Sequence, residues 1–143
     1  MLHYCQHSTG LGHLVRSLAV AGALATRYRV VLCSGGRMPE GVAVPPGVEV
    51  LCLPPIGTGP DGRLVSQDPG LTLEGARALR GALLLRCFEE LRPAVVMVEL
   101  FPLGRRKFAG ELLALLERAR SATPRPSVVC SVRDLLAKVC AAP

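Results

Sequence analysis

The feature that most constrains this chain is a set of five short apolar runs. They lie at Leu2–Gln6, Arg29–Ser34, Val48–Leu53, Ala94–Val98 and Ser127–Ser131. Each is continuously apolar rather than alternating, the pattern of strands buried on both faces of a parallel sheet. Between them lie segments long enough for crossovers. His13 to about Thr26 places Leu14, Leu18, Ala21 and Ala25 at helical spacing. Thr72 is an N-cap with Glu74 in the first turn of a helix that runs to about Leu91, where Arg92-Pro93 stops it. Lys107–Ser121 carries Phe108, Leu112, Leu115 and Ala119 on one face. Asp134 can cap one further short helix.

Strands that alternate with helices predict an α/β class: a doubly wound, parallel, five-stranded Rossmann-like sheet with strand order 3-2-1-4-5. At 143 residues the chain is one domain, 1–143. Right-handed crossovers put the carboxyl ends of all strands on one edge, where such sheets bind ligands. That edge gathers His7–Gly12, Gly35–Arg37, Pro54–Gly70, Glu99–Arg106 and Val132–Asp134. Pro54–Gly70 is rich in glycine and proline and is expected to be an irregular loop.

Composition narrows the function. Aromatic residues make up 3% of the chain, which removes the stacking platform that single-stranded nucleic acid needs. No nucleic-acid partner is expected. The net charge of +6 comes almost wholly from arginine, a planar fork suited to phosphate and carboxylate. No Cys-x-x-Cys pair or zinc-ligand spacing occurs, so no metal site is expected. Cys5, Cys33, Cys52 and Cys130 fall in strand-like runs and are expected to pack as small apolar residues in a reduced, cytoplasmic protein. The start, Met1-Leu2-His3-Tyr4, does not read as a signal peptide, and no apolar run is long enough to span a bilayer.

The candidate site begins at the first turn, "HSTGLGH". A glycine turn that opens a helix exposes backbone N–H groups, which favours an anion. Gly10 and Gly12 allow close backbone approach. Ser8 and Thr9 can donate to phosphate, and Arg16 lies one turn into the helix. The pattern matches neither the dinucleotide fingerprint nor a P-loop, and a tight turn that serves only packing remains the alternative. His13 is a candidate general base, since imidazole exchanges a proton near neutral pH. His7 can touch the same ligand. Glu99, directly after a buried run, is a candidate acid/base group, a sugar-hydroxyl acceptor, or a partner for Arg105 or Arg106. Arg105, Arg106 and Lys107 lie beside Leu100, Phe101 and Leu103, a mixture that suits a diphosphate, a peripheral membrane contact, or a solvated helix start. Arg133 and Asp134 follow the fifth run as further candidates for substrate contact or for a plain cap.

"HSTGLGHLVRSLAVAGAL" resembles the first loop and helix of GT-B glycosyltransferases, especially the branch similar to the bacterial transferase that adds N-acetylglucosamine to lipid-linked peptidoglycan precursors. "VELFPLGRRKFAGELLALLE" and "VVCSVRDLL" resemble predicted bacterial glycosyltransferases of the same superfamily. The resemblance covers nearly the whole chain. It implies the N-terminal, acceptor-side half of a two-half enzyme that moves a hexose or N-acetylhexosamine from a nucleotide diphosphate sugar to an acceptor hydroxyl. It implies no cofactor and no obligatory metal, and it gives His13 the role of assisting acceptor deprotonation. The donor-binding half is expected in a C-terminal domain that this sequence does not contain, so the half alone is expected to be inactive. The alternatives are a non-catalytic or membrane-associated subunit of a split transferase, half of a sugar-nucleotide epimerase, and a nucleotide-binding module unrelated to sugars.

Overall fold

The computed structural model describes residues 1–8 and 11–132. The chain runs β1 (Leu2–Cys5), α1 (Gly12–Leu24), β2 (Val30–Ser34), β3 (Val48–Cys52), β4 (Ile56–Thr58), β5 (Leu64–Ser66), α2 (Leu73–Leu91), β6 (Val95–Glu99), a 3-10 turn (Arg106–Phe108), α3 (Ala109–Ser121) and β7 (Ser127–Ser131). Among the described residues five strands form one sheet, ordered β3-β2-β1-β6-β7, and every adjacent pair is parallel. This is the Rossmann-like α/β order that the apolar runs predict.

Side chains of a strand alternate between faces, so β1 divides its residues between two layers. Leu2 and Tyr4 join the larger core with Val96, Val98, Leu84 and Phe88 of α2, and Leu112, Leu115 and Ala119 of α3. Cys5 packs with Leu14 and Leu18 of α1 on the other face. The helical spacings read from the sequence therefore do bury these faces. Full burial of Leu112 or Leu115 contributes about 1.5–3 kcal/mol each. The Thr72 hydroxyl accepts from Gly75 N at 3.0 Å and caps α2. The helix ends at Arg92, held in the left-handed region at φ 43°, with Pro93 after it.

Three expectations differ. Pro54–Gly70 is not wholly irregular: Ile56–Thr58 and Leu64–Ser66 pair as an antiparallel hairpin. Strands of three residues are too short to show a period, and the surrounding glycine and proline mask them. Burial on both faces holds for β1 and β2 but not for β6, β3 or β7, because face burial depends on the helices that cover a strand rather than on its neighbours in the sheet. β7 leaves Val128 and Val129 exposed, and β3 leaves Cys52 exposed. Cys130 and Cys87 are half-buried, so burial among the described cysteines is complete only for Cys5 and Cys33. The short helix expected after Asp134 lies outside the described residues.

Candidate active site

Parallel pairing brings the ends of β1 and β6 to the same rim, next to the hairpin that follows β3. There the chain encloses an open cavity of about 400 Å3, lined by Ser8, His13, Thr58, Leu64, Arg105, Arg106, Lys107 and Phe108. Ser8 and His13 come from the β1–α1 segment, Thr58 and Leu64 from the hairpin, and the rest from the segment after β6.

His13 is the second residue of α1, and Glu99 is the last residue of β6. Topology makes them neighbours: His13 Nδ1 lies 2.5 Å from Glu99 Oε1. An ionised carboxylate can only accept, so Nδ1 carries a hydrogen in this contact, and in the neutral ring Nε2 holds the lone pair. The Glu99 side chain is fully buried, whereas that of His13 is 23% exposed. The pair thus joins a hidden carboxylate to an imidazole open to the cavity.

The other carboxylate oxygen faces Arg105. Its Nη2 is 3.7 Å from Glu99 Oε2, an ion pair too long for a hydrogen bond. Glu99 Oε2 and Arg105 Nε and Nη2 are buried without a hydrogen-bond partner. The backbone that holds Arg105 there is strained. Leu100 at φ 60° and Arg105 at φ 58° bracket the loop, both in the left-handed region that costs a non-glycine residue about 1–3 kcal/mol. The Arg105 carbonyl accepts from Phe108 N at 2.9 Å, which ties the loop to the 3-10 turn.

His7 sits behind the cavity rather than in its lining. It is buried, and its Nε2 lies 3.0 Å from Ser34 Oγ, whose hydrogen is donated to Met38 Sδ. Burial lowers the His7 pKa, and the charges of Arg105 and His13 add to that. Gly12 opens α1. The Arg16 guanidinium donates to Ser131 Oγ at 2.9 Å and Val132 O at 2.8 Å, so it fastens α1 to the end of β7. Thr9, Gly10, Arg133 and Asp134 lie outside the described residues. Phe101 is buried in the core, which leaves Leu103 as the exposed apolar residue of that segment. Among the described residues no helix is long and apolar enough to cross a membrane.

A second polar group supports the rim from beneath, and the site residues read from the sequence do not include it. Arg80 of α2 is fully buried. Its Nε and Nη2 grip Glu111 of α3 at 2.8 and 2.6 Å, a bidentate pair. Nη1 donates to Gly35 O and Pro54 O at 2.7 and 3.0 Å. Nη2 also reaches Gln6 Oε1 at 2.7 Å and Tyr4 Oη at 3.1 Å. Burial opposes the Arg80 charge most strongly, but Glu111 and Tyr4 together outweigh it and keep the guanidinium protonated. Gln6 passes the order outward, since its Nε2 donates to His7 O, Ser8 Oγ and Ile56 O. The signal was present in the sequence: Ala76, Arg80, Leu84 and Phe88 recur every fourth residue, and one of them is charged. Lys107 is likewise a lining residue; its Nζ donates to Gly62 O in the hairpin turn at 2.8 Å.

No protein-family model matches the chain, and no curated protein matches it. Among solved structures the chain is similar in fold to Phytolacca americana UGT2, a structure complexed with UDP-2fluoro-glucose and pterostilbene. The two share 18% identity at a TM-score of 0.50, over 92% of this chain. The match spans 30% of the neighbour's length. The likeness is one of fold: a parallel, Rossmann-like α/β unit that corresponds to one half of a GT-B architecture.

Proposed function

We propose that this chain is the acceptor-side half of a glycosyltransferase. It would serve transfer of a hexose or N-acetylhexosamine from a nucleotide diphosphate sugar to an acceptor hydroxyl. The observation that carries this reading is the His13–Glu99 hydrogen bond at the carboxyl rim of a parallel sheet, beside an open cavity. His13 Nε2 takes the proton of the acceptor hydroxyl as that oxygen bonds to the anomeric carbon of the sugar. The bond from this carbon to the nucleoside diphosphate breaks, and the diphosphate leaves with the electron pair. Glu99, through Nδ1–H, stabilises the imidazolium that forms. Ser8, Arg105 and Arg106 contact substrate in the same cavity.

The donor is held mainly by a second α/β half, in the same polypeptide or in a separate subunit. The fold likeness supports a nucleotide-sugar donor, because the neighbour is complexed with one. The sequence motifs favour the predicted bacterial transferases, acting in the cytoplasm.

The test is His13→Ala in the chain joined to its donor-binding half, with sugar transfer and donor binding measured separately. Transfer should fall by about 10²- to 10⁴-fold while donor affinity stays within about twofold. Unchanged transfer would remove His13 from the reaction.

A further inference from the structure

The cavity beside His13 is more basic than the pair with Glu99 requires. Arg105, Arg106 and Lys107 line it, and no acidic side chain does so among the described residues. Glu99, behind the lining, offsets one of these charges at Arg105. Lys107 donates to a neutral carbonyl, and among the described residues neither it nor Arg106 forms an ion pair, although both also border a neighbouring cavity that holds Glu74 and the Arg80-bound Glu111. Two positive charges are left over, on exposed side chains, next to the imidazole nitrogen that faces the cavity. The Ser8 hydroxyl accepts from Gln6, which leaves its own hydrogen for a ligand.

Excess charge of this kind on a wall built by a strained backbone calls for an anion. A carboxylate would neutralise half of it, whereas a phosphomonoester dianion matches it and offers three oxygens to the donors. The cavity, at about 400 Å3, is of the size that holds a small metabolite. Phe101 is turned into the core, so Leu103 is the exposed apolar side chain of the Arg105 loop.

We propose that the acceptor held in this cavity is a small, water-soluble phosphorylated molecule. Arg106 and Lys107 grip its phosphate, Arg105 supports them, and a hydroxyl of the same molecule faces His13 Nε2. This rests on the glycosyl-transfer reading for the word acceptor, but the phosphate site stands or falls on binding alone.

The experiment is therefore a binding titration that needs no turnover. The chain, labelled with 13C and 15N at histidine, is titrated with glucose 1-phosphate, methyl glucoside, UDP and phosphatidylglycerol vesicles. The His13 ring resonances are followed, with buried His3 and His7 as internal references. Glucose 1-phosphate should move His13 with an affinity that falls with salt. R106Q/K107Q should weaken it by roughly tenfold or more. Both residues are exposed, and an unchanged denaturation midpoint checks that the variant folds. Equal response to methyl glucoside, or an unaffected R106Q/K107Q, overturns the proposal. UDP competing for the same residues assigns the phosphate to the donor and overturns it too. Response to vesicles without response to glucose 1-phosphate overturns it in favour of a membrane-facing patch. Sugar transfer that proceeds equally well in R106Q/K107Q overturns this inference and leaves the transferase reading intact. Phosphate binding as described, with no transfer by the chain joined to its donor half, removes the transferase reading and leaves the phosphate site.

Discussion

His13 Nδ1 meets Glu99 Oε1 at 2.5 Å across a sequence separation of 86 residues. Only the parallel pairing of β1 with β6 brings them together. Glu99 thereby chooses which imidazole nitrogen carries the hydrogen. Glu99→Gln should move that hydrogen to Nε2 in part of the population, because the amide can donate as well as accept. Nitrogen chemical shifts of the labelled ring read the tautomer directly. A ring that keeps its tautomer in E99Q would show that the carboxylate does not set it. In the chain joined to a donor half, the same variant should lower transfer by about 10²-fold or more.

Arg80 holds Glu111, Gly35, Pro54, Gln6 and Tyr4 at once. Arg80→Met leaves the Glu111 carboxylate and several carbonyls buried without their donor, which costs about 3–5 kcal/mol. Arg80→Lys should fall well short of rescue, because one ammonium cannot reproduce a planar fork that reaches five groups. Urea denaturation midpoints decide: a wild-type midpoint in R80M would mean that the network adds nothing.

Gly35 and Gly81 should respond to alanine in opposite directions. A Cβ at Gly35 would lie 2.1 Å from Gln6 Oε1 and 2.6 Å from Arg80 Nη2. Gly35→Ala is expected to destabilise the fold by about 1–3 kcal/mol through overpacking. Gly81 lies inside α2 with nothing within 4 Å of its would-be Cβ. Gly81→Ala should stabilise by about 0.5–1 kcal/mol, since alanine has less freedom to lose on folding. Thermal melts of the two variants check both signs.

His3 makes the fold sensitive to acid. It lies in the central strand with neither ring nitrogen hydrogen-bonded, and burial, helped by the nearby Arg16 charge, lowers its pKa from 6.5 to about 4. The unfolded chain binds the proton first, so His3 contributes fully above about pH 6.5. That contribution is lost as pH falls towards 4 and amounts to roughly 3 kcal/mol. Denaturation midpoints between pH 7 and 4 should drop, and His3→Leu should flatten part of that slope. An identical slope in the variant would assign the acid sensitivity elsewhere.

The sheet could be read from the chain because its strands are continuous apolar runs and its helices keep one face apolar through Leu14–Leu18 and Leu112–Leu115. The rim followed from topology alone, so His13, Glu99 and Arg105 could be assigned to one neighbourhood without any contact being known. What could not be read was pairing within it. Arg16 has the position of an anion ligand, yet it spans to Ser131, because the crossover geometry that sets that distance is invisible in local sequence. The hairpin was hidden by its brevity. Arg80 was legible in principle, as the one charge on a buried helical face.

The β4–β5 hairpin has a consequence for how specificity can change. It lends Thr58 and Leu64 to the cavity wall but belongs to no layer of the five-stranded sheet. At its base, Gln6 Nε2 donates to Ile56 O and Gln67 N to Pro55 O; at its turn, Lys107 Nζ donates to Gly62 O. The reactive pair sits on the framework, and part of the wall that decides what fits beside it sits on a hairpin pinned to the core through Ile56. A lineage, or an engineer, can change Thr58 and the turn beyond it and retarget the pocket while Ile56, His13 and Glu99 stay where the core and the sheet put them.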